Sequence, residues 1–255
     1  MELYVGQFIV FLMLFVRATA MVVVAPVIGH QNVPVQVKAG VGLFLAFVMY
    51  PLAAGKAAIV SAKFIPLVLM VLKELAMGLT IGFAAGLVFA GVRFAGELIS
   101  MDTSLSMAAL FDPEQNTQTS VLTEFLYLFL LMVFLLLNGH HFVFEALEMS
   151  YVAVPLGEMT FSGEASQVLI KLTGFIFIVA MKLAAPIIVS MFLVNVALSI
   201  LSRVMPQMNI FAVAFPIKLA VGFAGMLVSA PMIVYAFKRL LAGFEANILD
   251  LIKAL

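Results

Sequence analysis

Six stretches of this chain are long and apolar enough to limit the backbone to very few structures. They run from Leu3 to Ile28, Val37 to Ala54, Phe64 to Ala95, Val121 to Leu137, Val168 to Leu201 and Met208 to Phe237. In hydrocarbon every backbone N–H and C=O must find a partner within the protein. Against the roughly 20 apolar residues that a spanning helix requires, these runs predict an all-α, integral membrane-type fold of about six helical segments. The second run is short and the third and fifth are too long for one crossing, which predicts kinked or offset helices. Pro26, Pro51, Pro66, Pro186, Pro216 and Pro231 fall inside or at the ends of the runs, where each removes a donor and bends or ends a helix. The region from Phe142 to Leu156 is a further candidate to dip into the membrane.

Composition agrees with this class. Of 255 residues, 65% are hydrophobic and 10% charged, against roughly 45–50% and about 25% in soluble domains. The apolar start lacks a basic n-region and exceeds the roughly 7–15 residues of a signal-peptide core, so it is expected to be a retained first helix. No compositional shift marks a second domain, and residues 1–255 are expected to form one. The 13 basic and 13 acidic residues cancel, leaving no field or basic run to recruit nucleic acid. With no cysteine, thiol catalysis and thiolate metal sites are excluded. His140 and His141 are adjacent, not i, i+4, and no HExxH occurs, so no metal site is expected. A helix-end turn at Asn138 and Gly139 suits that stretch better. No nucleophile elbow, phosphate-binding loop or EF-hand is present, and no enzyme, catalytic residue or cofactor is expected.

Between Arg93 and Lys171 there is no Lys or Arg, while nine acidic residues lie there. The positive-inside rule then places the "MTFSGEASQ" loop outside and the end carrying Lys238, Arg239 and Lys253 inside.

Seven charges intrude on the apolar runs: Arg17, Lys73, Glu74, Arg93, Glu97, Lys182 and Lys218. Each facing lipid would cost on the order of 2.5–3.5 kcal/mol, so these helices are expected to face protein or water there. Arg93 and Glu97 stand one turn apart and could form an ion pair, although the basic-first order is the weaker one. Gly78, Gly82 and Gly86 repeat every fourth residue, predicting a groove where another helix approaches closely.

The segment "ISMDTSLSMAALFDPEQNTQTS", residues 99–120, interrupts this pattern with acid, Ser and Thr around Met107, Leu110 and Phe111. Asp112 and Pro113 suit a turn. The residues alone favour an ordinary loop whose apolar side chains touch a neighbouring helix.

Several motifs resemble one family. "LSRVMPQMNIFAVAFPIKLAVG" carries the most specific pattern, Arg203, Pro206, Gln207, Asn209 and Phe211. With "RATAMVVVAPVIG", "VPVQVKAGVGL", "KELAMGLTIGFAAG", "AGELISMDTSLSMAALFDP" and "NGHHF", in that order along nearly the whole chain, it is similar to the FliR family of flagellar export-gate proteins, called SctT in injectisomes. The resemblance implies a subunit that assembles with FliP and FliQ into a closed-ended spiral of helical hairpins, with FlhB packed on it. Such a gate stands in the inner membrane within the flagellar basal body, largely toward the periplasmic side, and passes unfolded export substrates. The resemblance also maps Ser106, Met107, Ala108, Ala109, Leu110, Phe111, Asp112, Pro113, Glu114, Gln115 and Asn116 onto the loop that plugs the channel. In that mapping Met107, Leu110 and Phe111 supply the seal. The alternative is a multi-pass secondary transporter of a small solute, suggested by the intruding charges and by an echo between "KAGVGLFLAFVMYP" and "KLAVGFAGMLVSAP".

Overall fold

The computed structural model describes residues 2–30, 33–53, 64–104, 120–207 and 209–255. Seven helices form there: α1 (Glu2–Val24), α2 (Val35–Ala53), α3 (Phe64–Asp102), α4 (Val121–Leu136), α5 (Gly139–Ala153), α6 (Gly163–Val204) and α7 (Ile210–Ala254). No strand occurs among the described residues. The fold is all-helical, as the apolar runs require.

The long runs became still longer helices. α3, α6 and α7 hold 39, 42 and 45 residues, about 58–68 Å at 1.5 Å per residue, roughly twice the 30 Å hydrocarbon core. Four helices, α1, α3, α6 and α7, are long and apolar enough to cross a membrane. α4 and α5 qualify as a pair bent by 68°, and α2 has only a shorter apolar stretch, Val35–Pro51. Pro51, Pro186, Pro216 and Pro231 lie inside helices. Pro66 falls in the first turn of α3, where its missing N–H has no helical acceptor to lose, and Pro26 follows the end of α1.

The α4–α5 bend has a local cause. Asn138 adopts φ 59°, ψ 25°, left-handed values that asparagine tolerates better than most residues. Leu137 N–H closes α4 onto the Val133 carbonyl at 2.9 Å. The expected turn at Asn138 and Gly139 is where the chain bends. At the other end of α4, Ser120 Oγ accepts from Leu122 N–H at 3.3 Å as the N-cap.

The chain divides into two compact units. The first comprises Met1–Leu87, Asn138–Thr173 and Gly243–Leu255. Its core includes Met13, Leu14, Met21, Met77, Ile81, Leu147, Phe244 and Leu251. Thr160 N–H donates to the Leu255 carbonyl at 3.1 Å and Ser162 Oγ–H to the Ala254 carbonyl at 2.7 Å. The "MTFSGEASQ" loop and the end carrying Lys253 therefore lie side by side within this unit, which corrects the expectation that they lie on opposite sides. The charge rule placed the two ends independently, whereas two consecutive antiparallel helices, α6 and α7, bring the end of α7 back beside the start of α6.

The second unit comprises Val88–Leu137 and Gly174–Ala242. Phe89 is its aromatic centre, edge-on to Tyr127, Phe134 and Phe237 at centroid distances of 5.8, 5.2 and 6.2 Å. Such contacts add about 0.5–1.5 kcal/mol each beyond burial.

Candidate functional site

In the first unit Arg17 of α1 and Glu74 of α3 are fully buried and paired. Arg17 Nε donates to Glu74 Oε2 at 2.6 Å and Nη2 to Oε1 at 3.0 Å, a two-pronged match of guanidinium to carboxylate. Nη1 donates to the Ser150 carbonyl at 2.9 Å and to the Val154 carbonyl at 3.3 Å, and Nη2 also reaches the Val154 carbonyl at 3.3 Å. These carbonyls lie at the end of α5, which carries partial negative charge, and the Ser150 carbonyl also accepts from Val154 N–H at 3.0 Å. The guanidinium thus neutralises a carboxylate and caps a helix at once.

Other groups complete the cluster. Glu74 Oε1 accepts from Gly157 N–H at 2.7 Å. Gly157 has φ +79°, and a Cβ there would stand 2.9 Å from Met70 Cγ, so both backbone angle and space require glycine. Tyr151 lies under the guanidinium, its ring centroid 4.7 Å from Cζ, and its hydroxyl donates to the Leu14 carbonyl at 2.9 Å. Four segments, α1, α3, α5 and the turn after α5, are tied through one desolvated ion pair. A buried pair of this kind contributes little over an apolar substitute, but removing one partner costs about 3–5 kcal/mol.

Beside this cluster the glycine stripe of α3 meets α1. A Cβ on Gly78 would collide with the Arg17 carbonyl and stand 2.7 Å from Ala20 Cβ; one on Gly82 would stand 2.6 Å from the Met21 carbonyl oxygen. A Cβ on Gly86 would meet the Val24 carbonyl at an ordinary 3.7 Å. The close approach is therefore made at Gly78 and Gly82, within the chain.

In the second unit Arg93 and Glu97 go to separate partners, so the expected ion pair is not formed. The Arg93 guanidinium lies 4.4 Å from the Tyr127 ring centroid. Glu97 Oε1 accepts from Thr123 Oγ at 2.9 Å. Both partners sit on α4, whose close approach is permitted by Gly96: a Cβ there would stand 2.6 Å from Thr123 Cα. Packing against α4 outcompetes a weak pair along one helix.

The polar motif brackets the α6–α7 turn. Arg203 ends α6, where its charge complements the helix dipole, and Pro206 follows two residues after the helix. The Asn209 carbonyl accepts from Ala212 N–H at 3.1 Å at the start of α7, the helix that contains Phe211. Arg203, Pro206, Gln207 and Asn209 are all exposed. Residues Ser106 to Asn116, the expected plug, lie outside the described residues. The rings of His140 and His141 lie 4.3 Å apart, centroid to centroid, tilted by 40° at the start of α5. Among the described residues no group of three His, Cys, Asp or Glu could hold a metal ion.

Comparison with known proteins bears on this arrangement as a whole. The pattern of the family described as bacterial export proteins, family 1, matches residues 8–244. The chain is 31% identical over 236 residues to the flagellar biosynthetic protein FliR of Bacillus subtilis (strain 168), covering 91% of this chain and 90% of the relative. To FliR of Escherichia coli (strain K12) it is 31% identical over 240 residues, 94% and 91% of the two chains. With FliR of Pectobacterium carotovorum it shares 33% identity over 220 residues, 86% and 83%. The chain belongs to the FliR family of bacterial export proteins.

As a FliR-family member it is an integral membrane export protein. The family matches extend over both units, so the Arg17–Glu74 cluster, the glycine seam and the α6–α7 turn all lie within the FliR-like region. Sequence inspection finds Arg17 and Glu74 individually as charges in apolar runs and misses that they pair. They stand 57 residues apart, and no local pattern signals a match at that separation. Ser150, Val154 and Gly157 contribute backbone atoms, which side-chain motifs do not reveal.

Proposed function

We propose that this chain is a core subunit of the flagellar type III protein export gate. Residues 1–255 act as one FliR/SctT-like domain that assembles with FliP and FliQ into a closed channel for unfolded flagellar subunits, with FlhB packed on it. The assembly belongs in the bacterial inner membrane, within the flagellar basal body and largely toward the periplasmic side. The observation that carries this reading is the FliR match over nearly the whole chain. The helix lengths support it, because helices of about twice the bilayer thickness suit an assembly that extends beyond the membrane.

In this reading residues Ser106 to Asn116 form the plug, and Met107, Leu110 and Phe111 seal it. A conduit for unfolded chains must block ions when empty, and an apolar constriction does so by excluding water. Methionine side chains adapt to a changing neighbour at little cost. Irregular backbone at membrane depth is tolerated where protein or water surrounds it, which a loop hung in a lumen satisfies. No catalytic step is required of the subunit.

Deletion of residues 106–116 tests the assignment. The truncated chain should still co-purify with FliP and FliQ, while cells carrying the complex leak ions and small solutes. An unchanged leak from a correctly assembled complex overturns the plug.

A further inference from the structure

The glycine stripe of α3 is one turn longer than the close contact that uses it. The carbonyls of Arg17, Met21 and Val24 on α1 meet Gly78, Gly82 and Gly86 in the same order, so the two helices run parallel. The first two contacts are closed to a Cβ, while the third leaves 3.7 Å. At the same spacing α3 places Met70 and Glu74 before the stripe and Ala90 after it. A slide of α1 by one turn toward the C-terminal end of α3 would set the Arg17 carbonyl over Gly82 and the Met21 carbonyl over Gly86, in a groove of the same shape. A slide the other way would bring the Arg17 backbone against the Glu74 side chain. Packing along this periodic groove therefore supports two registers, about 6 Å apart at 1.5 Å per residue.

The ion pair exists in one of them only. In the observed register the guanidinium holds both Glu74 oxygens. After the slide Arg17 would stand level with Gly78, and α3 carries no further acid before Glu97. The move would also take the guanidinium from the Ser150 and Val154 carbonyls, and the Leu14 carbonyl from the Tyr151 hydroxyl. A desolvated charge left without its partner is costly. A well-packed apolar pair in the same place would often hold the helices together as well as the charges do. What the charges add is the choice of register, as a single buried polar residue does in a coiled coil.

We propose that Arg17 and Glu74 form a register pin, which holds α1 at Gly78 and Gly82 against a second register, one turn on, that Gly86 keeps open. The pin is a conformational device. Withdrawing Glu74 from the guanidinium releases the α1–α2 hairpin to travel about 6 Å along α3, the one-turn step by which packed helices switch.

The chain has no cysteine, so a pair of spin labels can be attached through Phe8→Cys on α1 and Phe83→Cys on α3, both exposed positions. Phe8 lies before Arg17 and Phe83 after Glu74, and the slide brings the labels closer by about 5 Å. Pulsed electron–electron double resonance on the purified full chain in lipid nanodiscs should give one distance when the pin is intact. R17M/E74M should add a second population, shorter by about 5 Å, in about a third or more of the molecules. G86A alone should leave the distance unchanged, because 3.7 Å are free there. Added to R17M/E74M it should abolish the second population, because its methyl group would then meet the Met21 carbonyl. E74Q, which keeps the shape of the side chain and removes the counter-charge, carries the same test should the double variant lose its cooperative unfolding transition, and should show the shorter distance. A single unchanged distance in the double variant, or in E74Q where the double variant does not fold, overturns the pin. A second population that persists with G86A reports a movement other than this slide and overturns it as well.

Discussion

Arg17 and Arg93 both interrupt apolar helices, and the two meet opposite fates. Arg17 is fully buried and bound to an acid 57 residues away, with helix-end carbonyls taking its remaining protons. Arg93 is exposed, has an acid one turn away, and lies instead across the Tyr127 ring. The difference follows from solvation. A guanidinium removed from all solvent needs a counter-charge and every donor satisfied, or it is expelled. One that keeps access to its surroundings has no such requirement, and a face-on aromatic contact worth about 0.5–1 kcal/mol is enough to set its rotamer.

The largest effect should come from unbalancing the buried pair. Arg17→Met leaves the Glu74 carboxylate desolvated and the α5 end uncapped, and should lower stability by about 3–5 kcal/mol, read as the unfolding midpoint of the purified chain in detergent. Removing both charges with Arg17→Met and Glu74→Met should recover part of that loss. A double variant worse than either single one would show that the cluster does more than neutralise itself.

The glycine seam comes next. Gly78→Ala and Gly82→Ala push a methyl group into the α1 backbone and should each cost about 1–3 kcal/mol, whereas Gly86→Ala, with 3.7 Å available, should be tolerated. Bulky residues at Gly78 or Gly82 should also block assembly with partner subunits, measured by co-purification. Equal behaviour of all three positions would contradict the graded approach of α1 and α3.

Thr123→Val removes the donor that Glu97 accepts from and should cost about 0.5–1.5 kcal/mol by the same unfolding assay. The smallest effect is the most diagnostic. A double-mutant cycle between Arg93 and Glu97 should give a coupling within about 0.5 kcal/mol of zero, while the Arg17–Glu74 cycle should give several times more. Substantial Arg93–Glu97 coupling would erase the contrast between the two arginines.

The helices were legible because hydrocarbon leaves the backbone few choices: α1, α3, α6 and α7 follow directly from apolar runs, and the bend at Asn138 from an Asn-Gly pair. Gly78 and Gly82 were legible as a close-contact stripe because a period of four aligns residues on one helix face. Gly86 obeys the same period without making the close contact, since that depends on where α1 ends. The Arg93–Glu97 pairing failed because spacing along one helix says nothing about a competing neighbour such as Tyr127 or Thr123. Sidedness failed because charge counts weigh each loop by itself, and the two helices between the loop and the chain end, α6 and α7, return the chain to the side it left.

By itself the sequence determined the helical class, the membrane setting and the kinship with FliR, because apolar length and ordered motifs are properties of the chain read in line. Only the tertiary structure decided that Arg17 belongs to Glu74 and that the start of α6 lies beside the end of α7. Those outcomes turn on which groups lose their solvent together, and desolvation depends on distances through space that residue numbers do not record.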